Sequence, residues 1–281
     1  MGKCRVSIVM LTKNAGTAFE KTLNSICNQD FDWPYEIILV DSGSTDDTLK
    51  IIKKFDVRLF RIPPDEFNFG LTRNYAFSMA SGDFIVTISQ DVVPCSVSWL
   101  QYLIDPFCDN NIAAVQGSTV VQANTDVFYW EKKGYFYFTS EHRKWMEKYK
   151  CGLSFVNCAI RRSFWQGHPL ESVLFSEDKL FQKMIHDYGM EVYFSEEAVC
   201  YHGHQYSMKS LIRRLKNEGI GWKYAGVSYG LVDCLKDIYH NKWLIRKSIG
   251  SMINGEIHTM QELLFPLLRP ICVYHGNSKG I

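Results

Sequence analysis

The sequence predicts an α/β protein: a mainly parallel central sheet flanked by helices, followed by a helical C-terminal appendage. Three observations carry this. Short apolar runs alternate with segments of helical spacing as far as Ser89. The residues just after each apolar run are polar. From Ser207 the chain reads as helix almost to its end. Strand and helix alternating at this spacing fit parallel strands joined by crossovers that cover both sheet faces.

Val6–Leu11 is an apolar run and reads as the first strand. Thr17–Asn28 follows, with Phe19, Leu23, Ile26 and Cys27 on one helical face. Ile37–Val40 is a second strand. Asp46–Phe55 is a helix opened by the capping residues of STDDT. Arg58–Ile62 is a third strand, Gly70–Ala80 a third helix and Phe84–Ser89 a fourth strand. Ala113–Val121 then reads as strand, and the aromatic, charged segment Asp126–Tyr149 as helix. Phe155–Arg161 is extended, Ser176–Tyr188 is a helix begun by an SED cap, and Val192–Ser195 and Ala198–Tyr201 are two short extended pieces. No internal repeat or low-complexity linker is visible. The simplest division is a catalytic domain over 1–206 and a helical extension over 207–281 packed on it.

Composition narrows the function. The chain of 281 residues is 46% hydrophobic, enough for a large core. A net charge of +1 gives no field directed at nucleic acid, so none is expected as a partner. No run of 18 apolar residues suggests a membrane span. The N-terminus MGKCRVSIVMLTKN lacks the pattern of a signal peptide. Nine cysteines without CxxC pairs suggest reduced thiols in a cytosol, hence a cytoplasmic protein. The usual nucleotide loops are missing: there is no G-x-x-x-x-G-K-[ST], and the G-x-G at Gly219 and Gly221 has Tyr224 at the third glycine place.

In parallel α/β sheets, ligands bind beyond the carboxyl ends of the strands. The polar residues there are Thr12-Lys13-Asn14, Asp41-Ser42-Gly43-Ser44, the segment around Arg73, and Gln90-Asp91. Asp91 offers a hard oxygen that suits Mg²⁺ or Mn²⁺. Arg73 offers a fork of donors for a phosphate. Glu177 and Asp178 are adjacent carboxylates at a helix start. His202 and His204 lie two apart, on the same side of an extended segment. Each has a plainer reading: Asp41 and Asp91 as turn formers, Arg73 as a surface helix residue, Glu177 and Asp178 as a cap, and the histidines as satisfied edge residues.

Taken in order, VSIVMLTKN, EIILVDSGSTDDT, FNFGLTRNYA, GDFIVTISQD, NCAIRRSFW, FSEDKLF and YHGHQYS resemble the inverting family 2 glycosyltransferases of GT-A fold. The likeness is greatest to their rhamnosyltransferase-like bacterial branch and spans about residues 5 to 207. VDSGSTDDT with a downstream TRN is the specific part. The resemblance implies the nucleotide-diphospho-sugar transferase fold and a set of roles. Thr12, Asp41, Arg73, Gln90 and Asp91 would bind the nucleotide sugar. Asp91 and His202 would hold Mn²⁺ or Mg²⁺. Asp178 would be the catalytic base, with Glu177, Trp165 and His204 in support or at the acceptor. One departure stands out: the family's DxD is here Ser89-Gln90-Asp91, so its first acid is gone and the demand for metal is in question.

The implied function is transfer of a sugar, with rhamnose the first candidate, from a dTDP-, UDP- or GDP-linked donor. The acceptor would be a hydroxyl of a saccharide or lipid-linked molecule in surface polysaccharide synthesis. Two rivals are a non-catalytic nucleotide-sugar binding module and a sugar-phosphate nucleotidyltransferase. The second usually has a glycine-rich N-terminal loop, where this chain has TKNAGTAFEK. SMKSLIRRLKNEGIGWKYAG is basic and amphipathic, and ELLFPLLRPICVYHG adds apolar surface. The first suits peripheral contact with the inner face of a membrane or ordinary packing, and the second suits contact with lipid or with a second subunit in a homo-oligomer.

Overall fold

The computed structural model describes residues 5–122, 125–135, 140–149, 152–173 and 175–279. Strand β1 (Val6–Thr12), helix α1 (Phe19–Cys27), β2 (Tyr35–Asp41), α2 (Thr48–Ile52), β3 (Arg58–Arg61), α3 (Phe69–Ser78) and β4 (Phe84–Ile88) follow the alternation read from the sequence. Then come β5 (Val93–Pro94), α4 (Trp99–Ile104), β6 (Ile112–Val120), α5 (Tyr129–Lys132), α6 (Ser140–Tyr149), β7 (Asn157–Arg161), α7 (Arg162–Gly167), α8 (Glu177–Asp187) and β8 (Glu191–Tyr201). Helices α9 (Met208–Tyr224), α10 (Leu231–His240), α11 (Lys242–Ile253) and α12 (Met260–Lys279) complete the chain.

The chain divides into two compact units: Met1–Val120 with Tyr149–His202, and Val121–Lys148 with Gly203–Ile281. The helical unit thus begins after His202 rather than after residue 206. It also takes the segment 121–148 from the middle of the chain.

In the first unit the eight strands form one sheet in the order β3-β2-β1-β4-β7-β6-β8-β5. The first four are parallel, as the alternation requires. The sheet as a whole is mixed, because β7 runs antiparallel to both β4 and β6, and β5 runs antiparallel to β8. β8 is one strand, not two pieces. Its register against β6 jumps between Gly117 and Ser118, and this irregularity absorbs Glu196, Glu197 and Ala198. Along β1, Ile8 and Met10 enter one apolar layer and Val9 the other. A strand covered on both faces must be apolar throughout, which is why the run reads without alternation. Each such aliphatic side chain contributes about 1.5–3 kcal/mol on burial.

In the helical unit, Leu211, Leu215, Leu244 and Phe265 pack with Phe128, Tyr129 and Trp130. The apolar side of the basic helix α9 is therefore internal. The apolar tail segment likewise places Phe265, Cys272 and Val273 in the interior, while Ile271 stays exposed. Helices α9 and α12 approach through Gly219 and Gly276, where an added Cβ would overlap the backbone carbonyl of Val273 or Lys216. Among the described residues, no helix is long and apolar enough to cross a membrane.

Candidate active site

Thr12 and Asp41 are register partners at the carboxyl ends of β1 and β2, and Asp91 follows the same end of the parallel strand β4. The three therefore share one edge of the sheet, as the strand-tip reading expects. Asp41 is completely buried. Its Oδ2 accepts the backbone N–H groups of Gly43 and Ser44, both at 3.0 Å, and its Oδ1 accepts the Ser44 hydroxyl. Asp41 thus shapes its own turn, with Gly43 at φ +88° in the left-handed region that glycine tolerates. Arg61 Nε lies 4.0 Å from the same carboxylate. Beside it, Thr12 Oγ1 is buried without a hydrogen-bond partner. An orphaned hydroxyl at a strand tip is costly unless a ligand takes it up.

The loop after β1 is tied down one backbone amide at a time. Lys13 N–H donates to Gln90 Oε1 (2.9 Å), Asn14 N–H to Ser44 Oγ (2.8 Å), Ala15 N–H to Thr48 Oγ1 (2.8 Å) and Gly16 N–H to Asp46 Oδ2 (3.0 Å). Asn14, at φ +47°, reciprocates by accepting Thr45 N–H through Oδ1 at 2.8 Å. The STDDT segment therefore does more than cap a helix. Asp46 Oδ1 does accept Thr48 N–H (3.0 Å), and the Thr48 hydroxyl, with the Thr48 and Gly16 amides, holds the Asp46 carboxyl below the usual carboxylate range. Asp47 makes no cap and pairs with Lys50 on the surface.

Gln90 has a role the sequence did not reveal. Its Nε2 also donates to Lys13 O at 3.2 Å, so the amide exchanges two bonds with one backbone unit. A carboxylate at position 90 could accept but not donate. The Gln90 backbone carbonyl accepts the Thr22 hydroxyl at 3.2 Å. Gln90 thus fixes the loop that carries Asp91.

Antiparallel pairing of Val93 with Tyr201 brings the residues beyond both strand ends together. Asp91 Oδ1 and His202 Nε2 lie 3.8 Å apart, the acid about half-exposed and the histidine largely covered. Two ligands held at about 2.1 Å from one hard cation lie within roughly 4.2 Å of each other. The pair therefore fits a shared ion, with a carboxylate and an imidazole as donors. His204 belongs to the helical unit. There its N–H donates to Glu131 Oε2 (2.9 Å), and its Nδ1 lies 3.5 Å from Glu131 Oε1.

Arg73 is buried in the first unit. Its Nε donates to Glu177 Oε1 (3.0 Å), an Nη donates to Thr87 Oγ1 (3.0 Å), and the guanidinium stands 4.9 Å over the Phe155 ring. It is not the surface residue of the plainer reading. Two of its donor groups are spent inside the protein. Burial pushes the Glu177 carboxyl above its usual range; Arg73 opposes this and the Asp178 charge adds to it. The two adjacent acids have different surroundings. Glu177 is enclosed and paired, while Asp178 is half-buried at the helix start, with Oδ1 accepting Lys179 N–H at 2.8 Å. Ser176 makes no side-chain cap and stands at φ +66°. The first acid can therefore turn inward while the second does not. Trp165 is not brought to this edge. Its ring packs edge-on to Phe77 in the core, and its Nε1–H donates to Asn74 Oδ1 at 2.8 Å.

The family model described as glycosyl transferase family 2 matches residues 7–167. The O-antigen chain rhamnosyltransferase WbaN of Salmonella anatum is 28% identical over 224 residues, covering 76% of this chain and 71% of the relative. RfbN of Salmonella typhimurium, also an O-antigen chain rhamnosyltransferase, is 26% identical over 77% of this chain and 72% of its own. Among solved structures, the mannosyltransferase of Pyrobaculum calidifontis in complex with GDP-Man and Mn²⁺ superposes with a TM-score of 0.66. It is 15% identical, over 99% of this chain and 88% of that one. Glucosyl-3-phosphoglycerate synthase of Mycobacterium tuberculosis, solved with Mn²⁺, UDP and phosphoglyceric acid, gives 0.61 at 18% identity, over 81% of this chain and 82% of that one. The architecture is the GT-A fold.

Proposed function

The chain belongs to glycosyl transferase family 2, and on that premise we propose that it transfers a sugar, with rhamnose the first candidate, from a nucleoside-diphosphate donor to a hydroxyl of a saccharide or lipid-linked acceptor in surface polysaccharide synthesis. The observation that carries this reading is the convergence of Asp91 and His202 at the strand tips, at a separation suited to one Mn²⁺ or Mg²⁺ ion. When bound, such an ion would neutralise charge on the departing diphosphate.

Asp178 acts as the base. It accepts the proton of the acceptor hydroxyl as that oxygen bonds to the anomeric carbon. The bond from that carbon to the diphosphate oxygen breaks, its electron pair leaves with the phosphate, and the configuration inverts. A positioned base contributes about 10²–10⁴-fold. Arg73 and Glu177 position Asp178 by locking the start of α8 to α3 and β4. Thr12, through its orphaned hydroxyl, and the turn that Asp41 holds form the place for the nucleoside.

The tethered loop disfavours the nucleotidyltransferase reading. Four successive backbone N–H groups that could cradle a triphosphate are already taken by side chains. The test is calorimetric titration of nucleoside diphosphates with and without Mn²⁺. Asp91→Ala should abolish the metal-dependent part of binding and leave thermal unfolding unchanged. Equal binding by parent and variant, or full transfer in excess chelator, would remove the metal site from the account.

A further inference from the structure

We infer that the outer face of α10 and α11 docks on an anionic lipid bilayer. The inference stands on the helical unit alone and does not depend on the transfer reaction. The sequence points to α9 and α12 for membrane contact, but most of their large apolar residues, Leu211, Leu215, Phe265 and Val273 among them, are internal.

On α10, Leu231, Val232, Leu235 and Tyr239 fall within about 100° of one another at 3.6 residues per turn. All four are exposed, Val232 at 62% and Tyr239 at 65%. The buried residues of this helix, Cys234 and Asp237, lie on its other side. On α11, Trp243, Ile249 and Ile253 are exposed, Ile253 at 80%, while Leu244, Ser248 and Ser251 face inward. A row of large apolar side chains in water over two successive helices calls for a partner.

Charge identifies it. Lys236, Lys242 and Arg246 are exposed among these residues. Both acids of the two helices are turned away from the exposed face. Asp237 is buried and accepts the Tyr229 hydroxyl at 2.8 Å, and Asp233 accepts Gly230 N–H at 2.9 Å in its own capping box. The Lys242 ammonium lies 4.5 Å over the Tyr239 ring, and Trp243 stands edge-on to Tyr135 at 5.6 Å. Apolar and aromatic side chains interleaved with cations, and no exposed acid, are what an anionic interface takes up. A second copy of the chain is disfavoured, because a self-complementary interface would set these cations against one another.

The test is cosedimentation of the full chain with vesicles of equimolar phosphatidylglycerol and phosphatidylcholine, and with phosphatidylcholine alone. Binding to the first, falling as salt is added, is the expected result. Lys236→Ala and Arg246→Ala should each weaken it about fivefold, since each basic residue near such a surface contributes roughly 1 kcal/mol. Leu235→Ser with Ile253→Ser should abolish it at unchanged thermal unfolding. Equal sedimentation with both vesicles, or undiminished binding by the Leu235→Ser, Ile253→Ser variant, would overturn the inference. So would a dimer in solution that the same substitutions dissociate, which would assign the face to a second copy.

Discussion

Asp41→Ala tests whether the strand-tip turn is a structural clamp. Asp41 is wholly buried and receives three hydrogen bonds from its own turn. Bonds to a charged group contribute about 1.5–3 kcal/mol each, and the losses do not simply add. Alanine would also leave the Gly43 and Ser44 amides without their acceptor. It would free the Ser44 hydroxyl, which accepts Asn14 N–H at 2.8 Å. The net cost should be about 3–5 kcal/mol, at the upper end for a single substitution. Asp41→Asn should be milder, about 1–2 kcal/mol, because its carbonyl oxygen can keep both amide bonds while its NH₂ donates to Ser44 Oγ. Amide hydrogen exchange is the right assay, since two compact units need not unfold in one transition. Protection at Gly43, Ser44 and Asn14 should fall in the alanine variant and largely persist in the asparagine variant. Unaltered protection in Asp41→Ala would refute the clamp and leave Asp41 to ligand contact alone.

Two further outcomes follow from the helical unit. Burial alone would raise the Glu131 carboxyl, but bonds from His204 and Tyr206 outweigh it and hold the group below its usual range. Its stabilisation is therefore complete above the ordinary carboxylate range and is lost as pH falls through the lowered value. Glu131→Gln should melt earlier than the parent at neutral pH, and the gap should close on acidification; a gap independent of pH would contradict this. Gly276→Ala should destabilise by about 1–3 kcal/mol in urea, because the new methyl overlaps the Lys216 carbonyl across the α9–α12 contact. A gain in stability, as helix propensity alone would give, would show that the two helices can part without loss.

The first four strands were legible because each is covered on both faces and reads as an unbroken apolar run. Strand direction is not written in hydropathy, so the antiparallel insertion of β7 between β4 and β6 was invisible. β8 read as two pieces because Glu196 and Glu197 interrupt it where the ladder slips. The site was legible as a set of strand-tip residues. What the sequence could not separate was how each is used. Glu177 and Asp178 are neighbours in the chain, yet one is buried against Arg73 and the other is half-exposed. Gln90 read only as the middle of a DxD-like triplet that lacks its first acid, whereas its amide makes a two-way bond that no carboxylate could make. Capture of 121–148 by the helical unit depends on packing among Phe128, Trp130 and Phe265, which no local pattern announces.

The most direct measurement is steady-state transfer by Asp178→Asn and Glu177→Gln beside the parent, with donor affinity and thermal unfolding measured for each. Asparagine keeps the size of the base and removes its capacity to accept a proton. Asp178→Asn should lower kcat by about 10²-fold or more with donor affinity and melting little changed. Glu177→Gln should act through the buried contact with Arg73, lowering thermal stability while retaining more turnover. Near-parental kcat in Asp178→Asn, with transfer abolished in a folded Glu177→Gln, would place the base one residue earlier and contradict the account.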